Sequence, residues 1–272
     1  MRVEARGFTF EVTEGGPEDG EPTLLLHGFP QNSVEWERVA PILHAGGLRT
    51  YAMDLRGYTP GARPEGIEAY RIEEYVEDAC AVLDALGVRD AHVVGHDCGA
   101  VVAWWMAIDR PERVRTLTAV SVPHPAAFAS ALRSDEDQQQ RSSYITLFRV
   151  EGKAEDVLLR DDAQALRAMM APTGERLERY VTPMTDRAAL TGALNWYRAI
   201  SIKQMAALGP VTRPTTFVWS DEDLAIGRVA AQACESHVEA DFRFVPLTGV
   251  SHWIPDEAPD ALAGAVLARV TT

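Results

Sequence analysis

The sequence predicts an α/β protein: a mostly parallel twisted sheet flanked by helices, with an all-helical stretch inserted into it. Three observations carry that expectation. Between residues 23 and 122, short apolar runs alternate with amphipathic helical stretches, the rhythm of βαβ units. In Val93-Val94-Gly95-His96-Asp97-Cys98-Gly99-Ala100-Val101-Val102-Ala103, apolar β-formers enter a Gly-x-Asp-x-Gly turn and small residues leave it as a helix. That is the layout of a nucleophile elbow, which holds its central side chain up at the end of a sheet. From about 126 to 209 the alternation stops, and only helical patterns rich in Ala, Arg, Met and Leu remain.

Phe8, Phe10 and Val12 alternate with polar neighbours and predict a half-exposed strand over 7–13. Gly15 to Pro22 is turn chemistry. Thr23-Leu24-Leu25-Leu26 is the continuous apolar run of a buried parallel strand, ending in His27-Gly28-Phe29-Pro30. Trp36, Val39, Ile42 and Leu43 are spaced for a helix over 34–45. The run 48–53 predicts the next strand, followed by the loop Asp54-Leu55-Arg56-Gly57-Tyr58. A helix over 72–86 gathers Tyr75, Val76, Ala79, Val82 and Leu83 on one face and stops at Gly87. Residues 91–94 feed the elbow, 99–109 leave it as a helix, and 115–122 form another buried strand. Strands over 215–219 and 242–245 then resume the sheet, with helices over 227–237 and 259–270. The simplest division is a core of residues 1–124 and 211–272 with a helical cap of residues 125–210. Ligands of such sheets bind beyond the carboxyl ends of the strands, so the cap would roof that site.

Composition narrows the partners. The chain has 272 residues, 26 basic and 40 acidic side chains, and a net charge of −14. A nucleic-acid partner would need a basic face, and an anionic membrane would repel this one. The N-terminal segment MRVEARGFTFEV carries charges where a signal peptide needs an apolar core, and no apolar run reaches the ~18 residues of a membrane span. Cys80, Cys98 and Cys234 are widely spaced and form no metal-ligand pattern. A cytoplasmic location is expected, with no cofactor or metal. A homodimer is allowed but not required.

The chemistry lies at three strand ends. A carboxylate at the centre of an elbow, unlike the usual serine, attacks saturated carbon and forms an alkyl ester. In this architecture the backbone N–H after His-Gly joins the N–H following the nucleophile to form an oxyanion hole; here those donors are Phe29 and Cys98. Hydrolysis of the ester needs a base and an acid to orient it, in the chain order nucleophile, acid, histidine. Ser220-Asp221-Glu222-Asp223 follows one late strand, and Leu247-Thr248-Gly249-Val250-Ser251-His252-Trp253 follows the last. His252 is the base. Three acids compete for the orienting role, and Asp223 is favoured because the loop must pass the strand end before turning back. His44, His92 and His237 have no motif context and read as surface residues, while His27 and His96 read as loop-shaping.

With those residues in view, the chain resembles the soluble epoxide hydrolases of the α/β-hydrolase superfamily over nearly its whole length. The resemblance rests on His27-Gly28-Phe29-Pro30, the Gly95–Gly99 elbow, Val122-Pro123-His124-Pro125, Ser143-Tyr144-Ile145-Thr146-Leu147-Phe148, Gly152-Lys153-Ala154-Glu155, Leu194-Asn195-Trp196-Tyr197-Arg198, Asp223 and Gly249-Val250-Ser251-His252-Trp253. It implies the α/β-hydrolase fold, a cis Phe29–Pro30 bond, and two cap tyrosines, Tyr144 and Tyr197, that hydrogen-bond the oxygen of an apolar epoxide while water completes a diol. A phenol suits that task, being neutral at pH 7 yet able to donate as alkoxide charge develops. Cys98 departs from the family's usual tryptophan, which keeps the backbone N–H but reshapes the pocket floor. Trp105, Phe128, Phe148, Met170 and Trp196, with His124 and Trp253 from the flanking motifs, read as walls of an apolar pocket. A haloalkane or haloacid dehalogenase would share the Asp nucleophile, but Cys98 supplies neither the indole N–H nor the arginine that commonly holds a departing halide there. A non-catalytic ligand-binding protein on the same fold is the other alternative.

Overall fold

The computed structural model describes residues 1–271; Thr272, the last residue of the expected core, lies outside the described residues. The first strands are Arg2–Ala5 (β1), Phe8–Gly15 (β2) and Glu21–Leu26 (β3). Helix Ala40–Ala45 (α1) leads to Leu48–Met53 (β4), and Ile72–Ala85 (α2) to Ala91–His96 (β5). Cys98–Asp109 (α3) leads to Val114–Val120 (β6). Seven helices then follow without a strand among the described residues: Pro125–Ser134 (α4), Glu136–Arg141 (α5), Tyr144–Phe148 (α6), Lys153–Met170 (α7), Leu177–Met184 (α8), Arg187–Ala199 (α9) and Ile202–Ala207 (α10). The sheet resumes with Thr215–Ser220 (β7), then Arg228–Gln232 (α11) and Phe242–Leu247 (β8). Ile254–Glu257 (α12) and Pro259–Val270 (α13) end the chain.

The eight strands form one sheet in the order β1-β2-β4-β3-β5-β6-β7-β8. Both pairings of β2 are antiparallel and every other pairing is parallel. Successive side chains of a strand face opposite sides, and here they feed two separate cores. Leu24, Leu26, Val93 and Leu117 pack on the side of α2, α3 and the inserted helices. Leu25, Val94, Val120 and Val218 pack on the side of α1 and α13. The central helix α3 is buried almost all round, from Cys98 to Ala107, which is why its sequence is apolar without an amphipathic period.

Three elements depart from expectation. Residues 34–45 are not one helix: a 3-10 turn over Ser33–Glu37 precedes α1, whose second residue, Pro41, has no N–H to continue an earlier ladder. The helix expected over 227–237 likewise divides into α11 and a 3-10 turn over Ala233–His237. The short edge strand β1 was not anticipated: its four residues, Arg2 to Ala5, are the shortest alternation that can mark a strand.

Candidate active site

Asp97 sits between β5 and α3 with φ 51° and ψ −116°, a backbone state that non-glycine residues adopt only under strong local constraint. The constraint comes from close packing. A Cβ on Gly95 would stand 2.2 Å from the carbonyl oxygen of Gly99, and one on Gly99 would stand 2.2 Å from that of Leu26. Strand and helix therefore meet at a distance only glycine permits.

The two carboxylate oxygens of Asp97 have different partners. Oδ1 accepts a hydrogen bond from the Phe29 N–H at 2.8 Å, while Oδ2 lies 3.3 Å from His252 Nε2. The Phe29–Pro30 peptide is cis. Cys98 opens α3 immediately after Asp97, where an N–H has no carbonyl one turn back. On its other side His252 Nδ1 donates to Asp223 Oδ2 at 2.8 Å, and Asp223 Oδ1 accepts from the N–H groups of Ala225 and Ile226 at 2.7 and 3.0 Å. Asp221 and Glu222 are exposed, yet Asp221 accepts the Gly249 N–H at 2.9 Å and so ties the acid loop to the histidine loop.

Electrostatics follow from this geometry. Burial works against a charged His252, but Asp223 and Asp97 on either side hold its pKa up at about 10. Burial also opposes ionisation of Asp97, and the hydrogen bond and charge of His252, with help from the Phe29 N–H, overcome it and keep the acid well below its usual range. At neutral pH Asp97 is therefore a carboxylate and His252 an imidazolium. Burial pushes the phenols of Tyr144 and Tyr197 well above the ordinary tyrosine value, so both are neutral.

Two chambers meet at Asp97. The larger, of about 330 Å³, is lined by Asp97, His252, Tyr144 and Tyr197 together with Phe29, Phe148 and Trp253. The smaller, of about 60 Å³, shares Asp97 and both tyrosines and adds Cys98, Phe128 and Trp196. The tyrosine rings meet edge to face, 6.2 Å between centroids, and Phe148 packs 5.1 Å from each. The Cys98 thiol points at Tyr197 Oη, 3.9 Å away.

The sequence profile of the alpha/beta hydrolase fold family matches residues 21–259, most of the chain. The chain belongs to that family. It is 34% identical to AB hydrolase superfamily protein YfhM of Bacillus subtilis over 94% of this chain and 92% of that protein. It is 30% identical to epoxide hydrolase 4 of Mus musculus over 98% of this chain and 78% of that one. Among solved structures, a mutant epoxide hydrolase from Bacillus megaterium complexed with a naphthyloxy-propane-1,2-diol product superposes with a TM-score of 0.89, at 26% identity and full coverage of both chains. The resemblance to soluble epoxide hydrolases drawn from the motifs thus holds along the whole hydrolase.

Three expected pocket residues are elsewhere. Trp105 packs into the core and touches neither chamber. His124 is fully buried outside both: its Nδ1 accepts the Ala126 N–H, and its Nε2 donates to the Gly209 carbonyl at 3.1 Å. Burial, and then the charge of the neighbouring His237, push its pKa down to about 3, so it is a neutral structural group. Met170 is also core, and its neighbour Met169 lines the larger chamber instead. His92, read as a surface residue, is buried with Nδ1 2.8 Å from Thr116 Oγ1; His237 stacks on His124.

Glu35 escaped sequence reasoning altogether. It is fully buried beside the elbow, with Oε2 3.2 Å from His96 Nδ1 and 3.4 Å from the Gly28 N–H, and burial raises its pKa to about 7. His96 in turn donates from Nε2 to the His252 carbonyl at 3.0 Å, which Ser121 Oγ also reaches at 2.8 Å. Among the described residues no group of three or more His, Cys, Asp or Glu side chains is placed to hold a metal ion, and no helix is long and apolar enough to cross a membrane.

Proposed function

We propose that this hydrolase converts epoxides to vicinal diols through a covalent ester on Asp97. The observation that carries the proposal is the division of Asp97 between Phe29 N–H on Oδ1 and His252 on Oδ2, beside two neutral phenols. Support also comes from relatives and structural neighbours that are epoxide hydrolases. Residues 125–210 serve as a cap over a core of residues 1–124 and 211–272.

Asp97 Oδ2 forms a bond to a ring carbon, and the ring C–O bond breaks with its electron pair going to oxygen. Tyr144 or Tyr197 protonates that oxygen. The resulting phenolate recovers its proton from the His252 imidazolium, so ester formation leaves His252 neutral. Loss of the Asp97 charge removes one of the two influences that hold the imidazole pKa up, which keeps it a base. His252, oriented by Asp223, then takes a proton from water as the hydroxide adds to the ester carbonyl carbon. The oxyanion forms on Oδ1, held by the N–H groups of Phe29 and Cys98, a kind of donor whose removal typically costs about 3–4 kcal/mol. Collapse expels the alkoxide, which takes the proton of the re-formed carboxyl group. Diol leaves, and Asp97 and His252 return to their starting charges. No cofactor enters the scheme.

The test is a single turnover of styrene oxide by excess enzyme in ¹⁸O water. Attack by Asp97 predicts an unlabelled first diol, with the label retained in the peptide containing Asp97. Label in the first diol would mean direct attack by water and would remove the ester intermediate. Release of chloride from a haloalkane panel without any diol would move the reaction to dehalogenation.

A further inference from the structure

The two chambers that meet at Asp97 differ in volume by more than fivefold, about 60 against about 330 Å³. A cavity of ~150 Å³ takes up one benzene ring. The smaller chamber is well under half that size and the larger more than twice it. Val101, Val122, Ile202, Met205 and Ile226 line the smaller chamber together with the rings of Phe128 and Trp196. Its one charged residue besides Asp97 is Arg149, whose guanidinium is tied to the carbonyls of Tyr197 at 2.9 Å and Ile200 at 2.8 Å. The larger chamber brings together the rings of Phe29, Phe148 and Trp253, and its lining reaches the surface at Ala168, Pro172 and Leu224.

Resting on the epoxide-opening reading above, we infer that the enzyme selects terminal epoxides with a single bulky, aryl-bearing substituent, held in the larger chamber. The epoxide ring lies where the chambers join, because only there are the nucleophile and both phenols shared. A substituent on each ring carbon sends one group into each chamber, and the smaller accepts hydrogen or a short alkyl chain but not an aryl ring. Both chambers carry aromatic rings, but only the larger has room for an aryl group to meet them, at Phe29, Phe148 and Trp253, by edge and face contacts. The unsubstituted CH₂ is the less hindered carbon for backside attack, so Asp97 Oδ2 bonds there. The ring oxygen stays on the substituted carbon and takes the phenol proton. After hydrolysis, the primary hydroxyl of the diol carries an oxygen that came from Asp97.

The test compares phenyl glycidyl ether, 1,2-epoxybutane and trans-stilbene oxide with the wild-type enzyme, and maps ¹⁸O in the diols after many turnovers in labelled water. The expected result is a kcat/KM for phenyl glycidyl ether about 100-fold or more above that for trans-stilbene oxide, with label on the primary carbon. Met205→Ala widens the smaller chamber and should narrow that ratio about tenfold. A ratio within about threefold in the wild type, or label on the substituted carbon, overturns the inference while leaving epoxide hydrolysis intact. An unchanged ratio in a folded Met205→Ala variant overturns it as well. If none of the three epoxides is opened, the epoxide reading itself falls. Should the variant not fold, the wild-type ratio and the label position still decide.

Discussion

Tyr197 is fixed more tightly than a packing residue of an inserted helix needs to be. Its carbonyl is held by Arg149, its ring by Phe29 and Phe148 at 5.3 and 5.1 Å, and its hydroxyl faces the Cys98 thiol. On the proposed reaction that hydroxyl acts only as charge builds on the epoxide oxygen, so its loss should appear in kcat and not in binding. Tyr197→Phe is expected to lower kcat about 10²-fold or more with KM little changed, measured by steady-state diol formation. Equal loss in a folded Tyr144→Phe would match two shared donors, whereas a kcat within about threefold in both variants would exclude them from the chemistry. The candidate site residues legible in the sequence are those in short local patterns at strand ends: Phe29 after His-Gly, Asp97 between its glycines, Asp223 and His252 in sequence order. Glu35, Arg149, Met169 and Leu224 were not legible, because tertiary packing alone decides which polar or apolar residue of a helix or loop reaches the site.

The elbow as an element depends on three backbones meeting without side chains. Gly99 has no flexible neighbour that can yield, since the nearest atoms are the backbone of Leu26 and His27. Gly99→Ala should therefore destabilise the protein by about 3 kcal/mol, the upper end of overpacking costs, and shift Asp97 as well. Urea unfolding checks the first effect and residual turnover the second; a variant as stable and active as wild type would mean that β3 can move away from α3. The strands of the sheet were legible because they are continuous apolar runs bounded by turns. The helical stretch of the chain was legible as helical, but not its breaks. Non-helical angles at Arg160 to Ala163 interrupt α7 with no Gly or Pro to announce them, and elsewhere the helical spacing over 34–45 hid the break at Pro41. Such breaks answer to what the helix packs against.

For the molecule as a whole, the row Asp97–His252–Asp223 links the ends of β5, β7 and β8, so its ionisation bears on stability and not on chemistry alone. His252 has a folded pKa of about 10 against an ordinary 6.5. Its stabilising contribution is thus complete below about pH 6.5 and is lost as the pH rises through about 10. Asp97 acts in the opposite sense, contributing above the ordinary 3.8 and losing that contribution as acid protonates it. Unfolding midpoints should fall between about pH 8 and about pH 10.5, and His252→Gln should flatten that fall; parallel profiles for the two proteins would place the imidazolium outside the stability balance.

His124 has a consequence at the same scale. Its ring joins the first turn of the helical stretch, at Ala126, to the loop after its last helix, at Gly209, and the stretch departs from and returns to neighbouring strands, β6 and β7. The excursion is therefore a closed loop with a clasp at its neck. Because both ends of the excursion are fixed at adjacent strands, a change of length between them need not alter the pairing of β6 with β7. On this geometry, such a change would fall first on Tyr144 and Tyr197, which the excursion carries, and not on Asp97, which the sheet carries.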